Sequence, residues 1–444
     1  MGRSSVELED RTGGGPAVAA PEAAAPAPPA GRVVSIDILR GLAILWVIVF
    51  HLHVDMTYRN DAPEFYARFR DQLFNGHPLP ALTAFGELIL GQGYLGVVAF
   101  MILSGMSLTM NAYWRGEPAV LRGYWTRFRR ILPVYWAGVL LILATVAMVA
   151  LLQMLVDGGS YEEQWFNVRI AAVAKEQILW NDVAWALSVF PWIFREKFGT
   201  PPVASLWFVE LLLQYYLLFP FALLLLKKIG PWYFAGAGIA FTLAARAVFV
   251  PLAFESMQPF YVGRNLGMLS AFRGSEFFLG MSIGYLLACR RDDVSRWVRS
   301  PVDVVGLVAI GALCITGGVV LAPWNKTYLV FGDVVVQVGL ALFMLPLLFK
   351  RPGRTEANMV SRALIFLGVV SFTALIVNDM MRYFASFIRF EGYAEGPAWW
   401  FFLVVVYVPV GTLLAYPLAG VFGLLPRQRA KARAVTAAAH SPAY

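Results

Sequence analysis

Arg40 and His51 are the residues whose types and spacing set the chemical question. Residues 38–54 are apolar except for Arg40, His51 and His53, so the stretch reads as one transmembrane helix. Eleven residues at about 1.5 Å each place the imidazole ~16 Å beyond the Arg40 Cα. In an apolar core of about 30 Å that is near mid-membrane or slightly further. An ionisable group at such depth is costly, and by default it marks a functional site. The structural alternative is a neutral imidazole hydrogen-bonded to a neighbouring helix. An imidazole that titrates near neutrality can accept the proton of a hydroxyl.

The helices that must position these residues are written into the composition. The chain has 444 residues, 59% hydrophobic and only 14% charged, with a mean hydropathy of +0.63. A soluble domain carries about 25% charge. The sequence therefore predicts an all-α, polytopic membrane protein with no room for a soluble catalytic domain. The net charge of +8 follows topology rather than nucleic-acid binding. Cys289 and Cys314 lie in or beside apolar segments, without a CxxC or a metal-ligand spacing. Neither a disulfide framework nor a metal site is expected from them.

Residues 1–31 are rich in Ala, Pro and Gly and read as a disordered tail. No signal-peptide pattern precedes the apolar run, so the first helix is expected to stay as an anchor. Ten transmembrane helices are predicted, near 38–54, 94–113, 131–156, 204–226, 231–254, 266–289, 302–322, 328–349, 362–384 and 398–422. They form one domain over 32–424, followed by a basic tail over 425–444.

With the N-terminus in the cytoplasm, the inside connections carry Arg115 to Arg130, Lys227 and Lys228, Arg290 to Arg299, Lys350 to Arg354, and Arg427 to Arg433. Every one is basic, as the inside face requires, and the C-terminus is cytoplasmic too. The outside connections, including Asp55 to Pro80 and Asp157 to Pro202, are mixed or acidic. The second holds Trp165, Trp180, Trp185 and Trp192, read as an interfacial aromatic belt ahead of a sugar-stacking set. Val183 to Phe194 is shorter than the ~17 residues a span needs and is interrupted by Pro191. It reads as re-entrant or lying on the surface.

Several further patterns surround the Arg40–His51 helix. Asp37-x-Leu39-Arg40-Gly41 opens it, and Gly96-Val97-Val98-Ala99-Phe100 with Ser104-Gly105 lies in the second helix. Arg127-Phe128-Arg129-Arg130, running on to Pro133-Val134-Tyr135, forms a basic loop entering the third. Glu210 and Gln214-Tyr215-Tyr216 belong to the fourth, Arg273-Gly274-Ser275-Glu276 to the sixth, and Ser371-Phe372 with Asn378-Asp379 to the ninth. Together these motifs resemble the acyltransferase 3 family over about residues 33 to 422. Its members are integral-membrane enzymes that move an acyl group, usually from coenzyme A, onto carbohydrates and related acceptors. Five positions depart from the family pattern. Val98 stands where Asp is common, Met101 and Met106 replace aromatics, Leu212 stands where an acid precedes the Gln, and Asn378 where a second His is often found.

The resemblance implies roles for these residues. Arg127, Arg129 and Arg130, with Tyr135 beside them, would hold the phosphates of acyl-CoA, because guanidinium forks match phosphate oxygens. Arg40 would lie near the pantetheine or phosphate end. His51 would be a general base on the acceptor hydroxyl or a transient acyl carrier. Glu210, near the outer end, could meet His51 and fix its tautomer. The Gly96–Ser104–Gly105 stretch would pack helices closely or line an acyl passage.

Arg273 and Glu276, three apart, share a helix face and read first as a structural ion pair. With Asp37, Ser104, Asn378 and Asp379 they complete the residues expected around the substrate. Asp379 could bind acceptor hydroxyls, and Asn378 can hydrogen-bond without carrying a proton. The implied reaction is O-acylation of a cell-envelope glycan, glycolipid or related acceptor at a bacterial cytoplasmic membrane. Acyl-CoA is the co-substrate, acetyl-CoA ahead of succinyl-CoA, without a metal. The alternatives are a transporter using His51, Arg273 and Glu276 as a relay, or an inactive relative.

Overall fold

The computed structural model describes residues 34–57, 68–72, 74–76, 78–116, 120–159, 204–256, 266–267, 269–320, 327–349, 358–387, 401–423 and 425. Among the described residues every regular element is a helix. A chain this apolar must satisfy its backbone groups within each segment, and the helix does so. The main helices are α1 (Val34–Thr57), α2 (Pro78–Gly91), α3 (Leu95–Arg115), α4 (Val120–Asp157), α5 (Trp207–Ile229) and α6 (Pro231–Ser256). They continue with α7 (Ser270–Cys289), α8 (Pro301–Val320), α9 (Asp333–Phe349), α10 (Met359–Val369), α11 (Ser371–Phe387) and α12 (Val408–Val421).

Eight described helices are long and apolar enough to cross a membrane, or nine if the bent pair α10–α11 is one span. The 20-residue α7 falls outside that count. Arg273 and Glu276 near its start lower its hydropathy. The first 31 residues, the four tryptophans between Asp157 and Pro202, and the basic residues beyond 426 lie outside the described residues.

Three predicted segments differ from what forms. The apolar stretch before the second span is a separate helix, α2, joined to α3 by a turn over 92–94. The basic loop before the third span is helical. α4 starts at Val120 and runs for 38 residues, so Arg122 to Arg130 are carried on a rigid rod. At about 1.5 Å per residue that rod far exceeds a core of about 30 Å. The ninth span is not continuous, because α10 and α11 meet at Val370 with a bend of 81°.

Local chemistry sets the remaining ends. Glu210 lies in the first turn of α5 and Lys227 and Lys228 in its last, each favourable to the helix dipole. Gly230, at φ 81°, ends α5 and lets the chain turn straight into α6. Asn358 caps α10 by accepting a bond from the Val360 N–H at 3.0 Å.

The α3 span is the most enclosed, with 72% of its window buried, and α8 the least, at 11%. The centre of the bundle is therefore α1, α3, α7 and α11, and α8 is peripheral. Glycines set the central crossings. A methyl group on Gly105, Gly280 or Gly284 would run into the facing backbone of α7 or α3. A methyl on Gly41 or Gly368 would do the same where α1 crosses α10. The glycines of the predicted small-residue seam in α3 are thus helix contacts.

Candidate active site

At the Arg40 end of α1, arginines from two helices converge. Arg40 donates to Ser107 Oγ at 3.0 Å and lies 3.8 Å from Asp37, whose side chain is buried. Ser107 in turn donates to the Leu103 carbonyl at 2.6 Å. Arg127 and Arg130 of α4 and Arg40 of α1 are all in electrostatic contact with the Tyr216 phenol of α5. Arg127 also stacks over the rings of Tyr216 and Phe219, 5.8 and 4.9 Å from their centroids. Three cations that face one phenol can hold a multiply charged anion.

His51 lies at the other end. α1 begins six residues before Arg40, and the apolar span ends at His53. The imidazole therefore sits ~26 Å along the helix, toward its far end. His51 Nδ1 is 2.9 Å from the Val47 carbonyl of its own helix. A carbonyl only accepts, so Nδ1 carries a proton, and in the neutral ring Nε2 presents a lone pair. The ring is half-buried.

The charged neighbour of His51 is Arg382 of α11. Arg382 Nη1 donates to Asp379 Oδ1 at 2.9 Å and to Ser205 Oγ at 2.8 Å, and Ser205 donates to the same Asp379 oxygen. All three residues are buried. Beside them Tyr407 donates to Asn378 Oδ1 at 3.0 Å. This end of the bundle therefore holds a base-ready imidazole beside a cation whose charge is matched.

A third cluster is more closed. Arg273 makes a two-pronged pair with Glu276, at 2.8 and 2.9 Å, and both are buried. Tyr215 donates to the Arg273 carbonyl at 2.7 Å and stacks on Phe277 at 4.4 Å. Arg246, fully buried in α6, donates to Asp333 at 2.9 Å and to the carbonyls of Phe272 and Leu329 at 2.6 and 2.9 Å. Ser275 donates to Gln337. The Arg246–Asp333 pair ties α6 to α9, whereas the Arg273–Glu276 pair closes within α7. Glu210 is buried and in electrostatic contact with Tyr135 of α4.

A family model described as an acyltransferase domain, acyltransferase 3, matches residues 33–416. The match takes in every residue of the three clusters. The chain belongs to the acyltransferase 3 family. No curated protein and no solved structure matches it. As a family member this protein is a membrane acyltransferase by class.

The acyltransferase 3 fold brings some of the residues singled out from sequence together and separates others. The charges of Arg40, Arg127 and Arg130 act together on Tyr216, whereas Arg129, exposed like Arg130, is not among them. Tyr135 is buried against Glu210, away from that set. Glu210 does not appear beside His51, where Arg382 stands instead. Ser104 is half-buried on α3, and it is Ser107, one turn on, that meets Arg40. Asp379 is buried in a pair with Arg382 rather than open to an acceptor.

Sequence reasoning missed Arg382, Ser205, Arg246 and Tyr216 in this acyltransferase 3 chain. Two of them left a signal. Asp379-x-x-Arg382 repeats the three-residue spacing that marked Arg273 and Glu276, and Arg246 is a lone charge in an apolar span.

Proposed function

We propose that this protein transfers an acyl group from acyl-CoA to a hydroxyl of a cell-envelope glycan, glycolipid or related acceptor. Acetyl-CoA is the favoured donor and succinyl-CoA the second choice. The protein lies in a bacterial cytoplasmic membrane with ten spans and both termini inside. Acyl-CoA enters at the cytoplasmic face, where its phosphates meet Arg40, Arg127 and Arg130. The acyl thioester reaches along α1 toward His51. The acceptor arrives from the opposite face.

One observation carries this reading: the His51 Nδ1 proton is engaged by the Val47 carbonyl, and Nε2 is left as a base. A thioester is already activated, so the step needing help is removal of a hydroxyl proton, which a neutral imidazole can do. The position of His51 near the far end of α1 suits an acceptor from outside. The relay of His51 with Arg273 and Glu276, on which a transporter would depend, gains no support from a pair closed on itself.

The test is mass spectrometry of envelope glycans and lipids from cells with and without the gene, alongside transfer from labelled acetyl-CoA by purified protein. An acyl increment that depends on the gene and on His51 supports the reading. Substrate flux in vesicles without acyl transfer would sink it.

A further inference from the structure

Asn378 sits within α11 and is 1% exposed. Tyr407, on the π-helical turn Phe402–Tyr407, donates to Asn378 Oδ1 at 3.0 Å. That bond fixes which way the carboxamide faces. The amide nitrogen Nδ2 is fully buried and has no hydrogen-bond partner among the described residues. Buried donors are nearly always matched, and one that is not calls for an explanation. The helix supplies one. Asn378 lies one turn from Arg382, so the two share a face of α11. Arg382 is the residue in electrostatic contact with His51. The unmatched donor therefore shares a face of α11 with the arginine whose charge acts on the base.

We propose that Asn378 is the oxyanion donor of the transfer, its Nδ2–H bonding the acyl carbonyl oxygen, with Tyr407 as the positioning residue that orients the amide. This rests on the acyl-transfer reading above. In the step, the acceptor hydroxyl gives its proton to His51 Nε2 while its oxygen bonds to the thioester carbonyl carbon. The carbonyl electron pair moves onto oxygen, where Asn378 meets it. Collapse of that oxyanion breaks the carbon–sulfur bond. The coenzyme A thiolate leaves and takes the proton from His51, so ester and thiol are formed with nothing left over. A fixed donor in a site shielded from water is the kind of group that stabilises such an intermediate.

The test uses S-acetonyl-CoA, a ketone analogue of acetyl-CoA that cannot transfer, carrying a 13C carbonyl. It is bound to the full-length protein in lipid nanodiscs and read by isotope-edited infrared spectroscopy. A hydrogen bond to the carbonyl lowers its stretching frequency. The wild type is expected to shift the bound carbonyl below its free value. Asn378→Leu is expected to abolish the shift while the analogue still binds, and Tyr407→Phe to reduce it. A wild-type carbonyl at the free frequency, or a shift that survives both substitutions, overturns this inference and leaves the acyl-CoA reading standing. Failure of the wild type to bind the analogue overturns both. If Asn378→Leu does not fold, Tyr407→Phe decides, and an undiminished shift in that variant overturns the assignment.

Discussion

Arg382 is the charged residue whose field reaches His51, and its own charge is met by Asp379 at 2.9 Å. The base is on α1 and the ion pair on α11, so the site exists only where these two helices meet. The pair also explains how a cation is tolerated beside the imidazole in an apolar bundle. Its charge is matched one turn away on the same helix.

Removing one partner should expose that cost. Asp379→Asn removes the counter-charge 2.9 Å from buried Arg382, and breaking a buried pair typically destabilises by about 3–5 kcal/mol. Thermal unfolding in nanodiscs should show a clear drop. The double variant with Arg382→Met should recover much of it without recovering transfer. An unchanged midpoint in Asp379→Asn would remove the structural role of the pair.

His51→Ala should separate catalysis from folding. The side chain makes its hydrogen bond within its own helix, to Val47, so little cross-helix packing is lost. Transfer from acetyl-CoA should fall by ~10²–10⁴-fold, the range for a general base. Thermal unfolding should change little. Transfer at the wild-type rate would rule out the imidazole as the reacting group.

The arginines should divide by position. The charges of Arg127, Arg130 and Arg40 act on Tyr216, while that of Arg129, exposed like Arg130, is not among them. A bond to a charged group contributes about 1.5–3 kcal/mol. Arg127→Ala and Arg130→Ala should therefore raise the KM for acetyl-CoA roughly tenfold to a hundredfold by that estimate. Arg129→Ala should raise it far less, and the two larger effects should shrink at high salt as charges are screened. Equal effects at all three positions would argue for a diffuse basic surface instead of a site.

The glycine crossings make a stability prediction. Gly280→Ala places a methyl on the Ile102 backbone, and Gly41→Ala on that of Leu364. Either must push two central helices apart, and overpacking of this kind costs about 1–3 kcal/mol. Gly306 has open space around it, so Gly306→Ala should be neutral or slightly stabilising. Unfolding midpoints of the three variants, measured side by side, test the assignment of the crossings.

The chain alone determined the membrane class, nearly all of the long helices and the family. Those features are local: apolar length, charge at helix ends, and motifs such as Arg40-x10-His51 lie along one stretch of backbone. Arg273 and Glu276 were legible as a pair for the same reason, since one helical turn joins them. The bend at Val370 was not legible, because Ser371-Phe372 continues an apolar run without a proline. Nor could sequence say that Tyr216 would gather arginines from α1 and α4, or that Arg382 rather than Glu210 would stand beside His51. Partners on different helices are fixed by how those helices cross, and the crossings depend on glycine contacts between segments hundreds of residues apart, such as Gly41 with Leu364. Spacing within a helix carries no record of that.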